Sequence, residues 1–173
     1  MATKVNTLED LFMEMVKDLY SAEKQLVKAL PKMAKAAQSP DLQRAFQNHL
    51  KQTEGHVDRI ERIFSDMDGS PRGKKCAAME GLVEEGSELL QEDIDPNVLD
   101  AGLIAAAQKV EHYEIASYGT VRAWAERLGK NRAVQLLQQT LDEESAANEK
   151  LTQIAESQAN VEAQAQKGKL SFT

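Results

Sequence analysis

With a single cysteine, Cys76, the chain cannot form an intrachain disulfide, and nothing in it points to an oxidising compartment. Aromatic residues make up only 5%, and there are just 9 glycines and 4 prolines in 173 residues. What remains is rich in Ala, Glu, Leu, Gln and Lys, straight-chain or small residues that lose little rotamer freedom in a helix, so a largely helical protein is expected. No basic cluster offsets a formal net charge of -7, which excludes the phosphate-neutralising surface of a nucleic-acid binder. No apolar run approaches the roughly 20 residues of a membrane span. Glu9, Asp10 and Glu14 interrupt the apolar positions near the N-terminus, unlike a signal peptide. The expectation is a cytoplasmic protein with one domain over residues 1–165 and a frayed tail over 166–173.

What is present is a set of long amphipathic helices. Phe12, Val16, Leu19, Glu23, Leu26, Leu30 and Met33 follow alternating steps of four and three, the spacing of one buried helix face. A carboxylate sits in the middle of that apolar seam, where an unpaired charge costs several kcal/mol. The first helix is expected from about Thr7, capped by Asn6 or Thr7, to about Gln38, with a bend at Pro31. Ser39-Pro40-Asp41 then starts a second helix, with seam Leu42, Phe46, His49, Thr53, His56, Ile60, Ile63 and Met67. A short amphipathic segment spans about Lys74 to Gln91. Asp95-Pro96 opens a third long helix, with seam Ala107, Glu111, Glu114, Tyr118, Val121, Ala125 and Leu128, closed by Gly129. The last long seam is Leu137, Leu141, Glu144, Asn148, Leu151 and Ala155, and the polar stretch from about Glu162 should fray.

Two tight helical hairpins are therefore joined by a crossover of roughly 30 residues. An up-down-up-down bundle does not need such a connection; a ferritin-like four-helix bundle with a short fifth helix in the crossover does. Glu23 lies about 15 residues before the first hairpin turn, and Thr53-Glu54 about 15 after it. Glu114 and Glu144 flank Gly129 in the same way, so each pair sits level, roughly 22 Å from its turn. Glu111 is one helical turn from Glu114, and His49, Gln52 and His56 share a face of the second helix.

Glu23, Glu111, Glu114 and Glu144 with nearby imidazole match the ligand inventory of a bundle-core dinuclear site, and two divalent cations would offset their charge of about -4. Such oxygen-rich ligands suit iron or manganese better than structural zinc. The Glu-x-x-His motif usual for two of the helices is missing: Val57 follows Glu54 at that spacing, and Ala147 follows Glu144. Glu111 could replace one absent histidine, and His56 could supply the other. His49 reads as a core histidine, His112 as a surface one, and Glu143 as an exposed flank that a small helix rotation would exchange with Glu144. Tyr118 and Tyr20 could hydrogen-bond ligand carboxylates. Cys76 packs the short helix.

Tyr20-Ser21-Ala22-Glu23-Lys24-Gln25-Leu26, His49-Leu50 with Thr53, Lys75-Cys76, Met79-Glu80-Gly81-Leu82, the segment Ala105 to Gly119, and Glu143-Glu144 together resemble the YciF-like family of bacterial stress proteins, relatives of YciE. The resemblance spans nearly the whole chain. It implies a ferritin-like bundle, a homodimer and a dinuclear metal centre related to that of rubrerythrins. The candidate ligands carried over are Glu23, Glu111, Glu114 and Glu144, with Glu143 as a further candidate. Relatives usually carry Glu where this chain has Gln52, whose amide oxygen is a weaker ligand and leaves the site one negative charge short.

The function expected is that of a stress protein whose di-iron or di-manganese centre acts on peroxide, O2 or ferrous iron, as a peroxidase, catalase or ferroxidase. The alternative is a non-catalytic dimeric bundle with a degenerate site that acts through protein partners. A storage cage is a third reading.

Overall fold

Thr7 caps the first helix, α1 (Leu8–Ala36): its hydroxyl accepts from Asp10 N, and the Asp10 carboxylate accepts from Thr7 N, both at 3.0 Å. The computed structural model describes residues 5–165. Pro31 lies within α1 and does not end it. Ser39 caps α2 (Pro40–Ser65), with Pro40 in the first turn, where its missing N–H leaves no bond unmade. The short helix α3 (Ala77–Leu89) is a little shorter than the expected segment and is capped by Cys76, whose sulfur accepts from Met79 N. Asp95 caps α4 (Pro96–Arg127), and Gly129, at φ 69°, turns the chain into α5 (Asn131–Ile154). One π turn (Ala155–Ala159) leads into α6 (Asn160–Ala165). The polar stretch expected to fray from about Glu162 is therefore helical through Ala165, because the π turn keeps Ala155 and Ala159 in the core. The expected tail 166–173 lies outside the described residues.

Cross-links at the two ends fix the helix directions. Lys130 pairs with Glu9 at one end of the bundle, and Asp100 binds the backbone at Gln38 at the other, so α1 and α4 are antiparallel. Arg132 with Asp66, and Ser39 with Gln158, do the same for α2 and α5. The beginnings of α2 and α4 meet, so these two run parallel, as the long crossover requires. α3 packs on α1 and α4. The architecture is all-α and ferritin-like.

The apolar core is in two parts. Leu26, Leu30, Leu42, Phe46, Leu103, Ile104, Leu151 and Ile154 pack on one side of the waist. Phe12, Val16, Leu19, Ile60, Ile63, Tyr118, Val121 and Leu137 pack on the other. On every long helix the change from one cluster to the other falls at a buried polar residue: Glu23, the stretch from His49 to His56, Glu111 with Glu114, and Glu144. Hydrocarbon thus closes the polar layer from both ends and removes the water that would otherwise solvate it.

Asp100 ties the first hairpin to the second. Only 2% exposed, it accepts from Gln38 N at 2.8 Å and from Ser39 N at 2.7 Å, two donors left over between α1 and α2. Asp100→Ala should lower the unfolding free energy by about 3 kcal/mol, because hydrogen bonds to a charged group are lost and the N–H groups keep no partner. Urea denaturation reads this directly, and an unchanged midpoint would contradict it.

Candidate metal centre

Seven buried polar residues meet at the waist: Glu23 from α1; His49, Thr53 and His56 from α2; Glu111 and Glu114 from α4; Glu144 from α5. Thr53 is spent locally, its hydroxyl donating to His49 O at 2.9 Å. The other six converge as two groups that could each hold a metal ion: His49, Glu111, Glu114 and Glu144; and Glu23, His56 and Glu144. Glu144 belongs to both. Its Oε1 lies 2.8 Å from His56 Nδ1 and its Oε2 3.6 Å from His49 Nε2, so one carboxylate spans the two imidazoles. Glu111 Oε1 lies 3.4 Å from His49 Nε2, and Glu23 Oε1 lies 3.4 Å from His56 Nδ1.

Proximity here is not pairing. His49 Nε2, His56 Nδ1, one oxygen each of Glu23 and Glu111, and both oxygens of Glu114 and of Glu144 are buried without a hydrogen-bond partner among the described residues. Buried polar atoms are almost always satisfied, and eight orphans converging on one place is what a ligand set for a cation looks like before the cation is counted. The donor types, carboxylate oxygen with one imidazole in each group, are ones a metal cation accepts.

Three of these residues also have an atom that is partnered: His56, His49 and Glu23. His56 Nε2 lies 2.9 Å from Glu143 Oε2, and Glu143 is itself held by Arg59 through two bonds of 2.8 Å. His49 Nδ1 faces Gln52 Oε1 at 3.4 Å. Tyr118, fully buried, donates to Glu23 Oε1 at 2.5 Å. Each of these partners turns a ring nitrogen or a second oxygen toward the centre.

Electrostatics follow the burial. Loss of water, then the neighbouring carboxylates, hold the Glu111 and Glu114 carboxyls well above the usual carboxylate range. Burial likewise raises Glu23, with His56 pulling the other way. Burial also works against ionised Glu144, but His56 and His49 outweigh it and bring its pKa down. Burial disfavours the His56 cation, yet Glu144 and Glu23 raise its pKa to about 10. Without a metal the waist would hold protons instead.

Of the residues singled out in the sequence, Glu23, His56, Glu111, Glu114 and Glu144 come together, and Gln52 reaches them through His49. Glu144, not Glu143, faces the core. His49, read as a core histidine, is buried but offers its free nitrogen to three carboxylates; its place in the same seam as His56 was the available signal. Glu143 is a flank, but half-buried rather than exposed, held between His56 and Arg59. Tyr20 donates to Glu61 at 2.8 Å on the outside and does not reach the centre. His112 is exposed, its ring at Gln108 O.

The fold and this carboxylate–imidazole waist define a ferritin-like helical bundle with a candidate metal centre. Residues 7–164 match a family described as a domain of unknown function, DUF892, and the chain belongs to that family. It is 47% identical over 161 residues to Protein YciF of Escherichia coli K12, covering 92% of this chain and 97% of that protein. The crystal structure of the E. coli stress protein YciF matches with a TM-score of 0.86 and 45% identity, over 94% of this chain and 100% of that one. YcfI from Rhodopseudomonas palustris matches with a TM-score of 0.84 and 43% identity, over 88% and 97% of the two chains.

The metal-free protein should carry a pH signature at Glu114. Its folded pKa is raised well above the ordinary glutamate value of 4.5, so the folded state keeps this proton longer than the unfolded chain and stability falls as pH rises above 4.5. Glu114→Gln mimics the protonated form. In chelator-treated protein it should raise the melting temperature at pH 8 and change it much less at pH 5; a loss of stability at pH 8 would contradict the assignment.

Proposed function

We propose that the waist would hold two divalent ions, iron or manganese, with Glu144 belonging to both ligand groups, and that this centre acts on peroxide, O2 or ferrous iron as part of a stress response. The observation that carries the reading is the convergence of eight unpaired buried donor atoms into two ligand groups sharing one carboxylate. Similarity over nearly the whole chain to the E. coli stress protein YciF supports the physiological half. A pair of redox-active ions, when bound, would supply two electrons to one molecule of peroxide or O2 within a single site; with ferrous iron as substrate, that iron gives the electrons and O2 or peroxide takes them.

The chain's own residues prepare that chemistry. Glu143, kept ionised by Arg59, accepts from His56 Nε2–H and leaves the Nδ1 lone pair facing Glu23 and Glu144. Gln52 Oε1 accepts from His49 Nδ1–H and leaves Nε2 toward Glu111 and Glu144. Tyr118 occupies one oxygen of Glu23, which orients the other. Glu111 and Glu114, whose carboxyls burial and the neighbouring carboxylates hold well above the usual range, are the residues best placed to change protonation as the charge at the centre changes. The two apolar clusters exclude bulk water above and below.

Purified protein loaded with iron(II) or manganese(II) and desalted should retain close to two ions per chain by elemental analysis, and its melting temperature should rise. Glu144→Ala, which removes the shared ligand, should abolish both effects. Fewer than one ion per chain in the wild type would refute the reading. One observation favours a second: Gln52 is a neutral amide, and no Glu-x-x-His is present, as in a bundle that has lost its metal and acts through partners. That reading requires Glu23→Ala and Glu114→Ala to raise or preserve thermal stability whether or not metal is supplied. We also propose a homodimer, for which size-exclusion chromatography should give twice the 19.2 kDa chain mass.

A further inference from the structure

The two halves of the centre are not equally enclosed. The Glu23–His56 half is shut: both side chains are fully buried, Tyr118 lies over Glu23, and the Arg59–Glu143 pair covers the outer edge of His56. The His49–Glu111 half forms the inner wall of a cavity of about 310 Å³ that opens to the surface between α2 and α5. Gln52 lines it as well, and neither Glu23 nor His56 does.

Resting on the metal-centre reading above, we propose that this cavity binds a second substrate beside the peroxide or O2, a small organic molecule with an oxygen-donor, preferably anionic, head and an apolar body. Three features argue for that class. The cavity volume lies at the lower end of the range for small-molecule pockets and is many times what hydrogen peroxide or O2 needs. At its inner end are two side chains more than nine-tenths buried, His49 and Glu111, each with an atom lacking a hydrogen-bond partner. Between these and the surface the walls are apolar, from Phe46, Ala147 and Leu151. At the rim Arg44 and Lys150 outnumber Asp41, which pairs with Arg44, so an arriving anion meets a favourable field in a protein that is acidic overall.

Azide and benzoate are suitable probes: azide represents the anionic head alone, and benzoate adds an apolar body. Iron-loaded, air-oxidised protein is titrated with azide by absorption after its metal content has been measured, and benzoate is then added as competitor. Azide should bind the wild type, and benzoate should displace it. Ala147→Phe, which fills the apolar wall without touching a ligand, should keep the wild-type metal content and weaken azide binding by on the order of tenfold or more. Lys150→Glu, an exposed change that leaves packing alone, should weaken azide by about threefold or more at low ionic strength. Full metal content with azide affinity unchanged in both variants would overturn this proposal and leave the metal centre standing. Azide binding that benzoate cannot displace would overturn the organic-substrate assignment. A wild type that retains no metal would bring down the metal-centre reading and this one with it.

Discussion

The structure depends on one constraint: four carboxylates cannot share a dry interior unless positive charge joins them. Glu23, Glu111, Glu114 and Glu144 are at most 2% exposed, and the two histidines among them cannot satisfy all their oxygens. Taking each ionised carboxylate out of water costs several kcal/mol even after the protein relaxes. A bundle of this size could have filled its waist with leucine and gained stability. That it divides its hydrocarbon into two clusters instead is the cost of the site, and it makes the centre an organiser of the helices rather than an ornament on them. Helix order, hairpin turns and the parallel pairing of α2 with α4 all serve to bring those side chains to one level.

The enclosing shell has a logic of its own. For His56 and His49 the nitrogen facing away from the centre is paired and the one facing it is not, and Glu23 likewise keeps one oxygen paired and one free. Random burial of polar groups would scatter the orphans. Here Glu143, Gln52 and Tyr118 each take the far side of a different residue, and Arg59 in turn anchors Glu143 with a bidentate bond. The bundle therefore fixes not only where the donors are but which atom of each is left free.

Much of this was legible in the sequence because it rests on local rules. Period-3.6 seams gave the four long helices, caps such as Thr7, Ser39 and Asp95 gave their beginnings, and equal counting from the hairpin turns put Glu23, Glu114 and Glu144 level. What escaped depended on rotation about a helix axis or on partners distant in the chain. His49 looked like an ordinary core histidine because its carboxylate neighbours lie on α4 and α5, more than 60 residues away. Glu143 could not be told from Glu144 without the phase of α5. Asp100 lies near the start of α4 and gave no sign that it would bind a backbone turn 61 and 62 residues earlier. Tyr20 was misread for the same reason: spacing places it near Glu23 in sequence but about a quarter turn or more off the seam, and it ends at Glu61 outside.

Glu143 and Glu144 are adjacent on α5, and they meet the two different nitrogens of one imidazole, Nε2 and Nδ1 of His56. Neighbouring residues on a helix point about 100° apart, so a ring wedged between them touches both only at one setting of the helix about its axis. His56 thereby works as a phase gauge for α5: twisting the helix either way must break one contact as it tightens the other. Any disturbance that turned this helix, whether from a ligand in the neighbouring cavity or from a partner on the outer surface, would be felt at the centre as a change in how one ring is held.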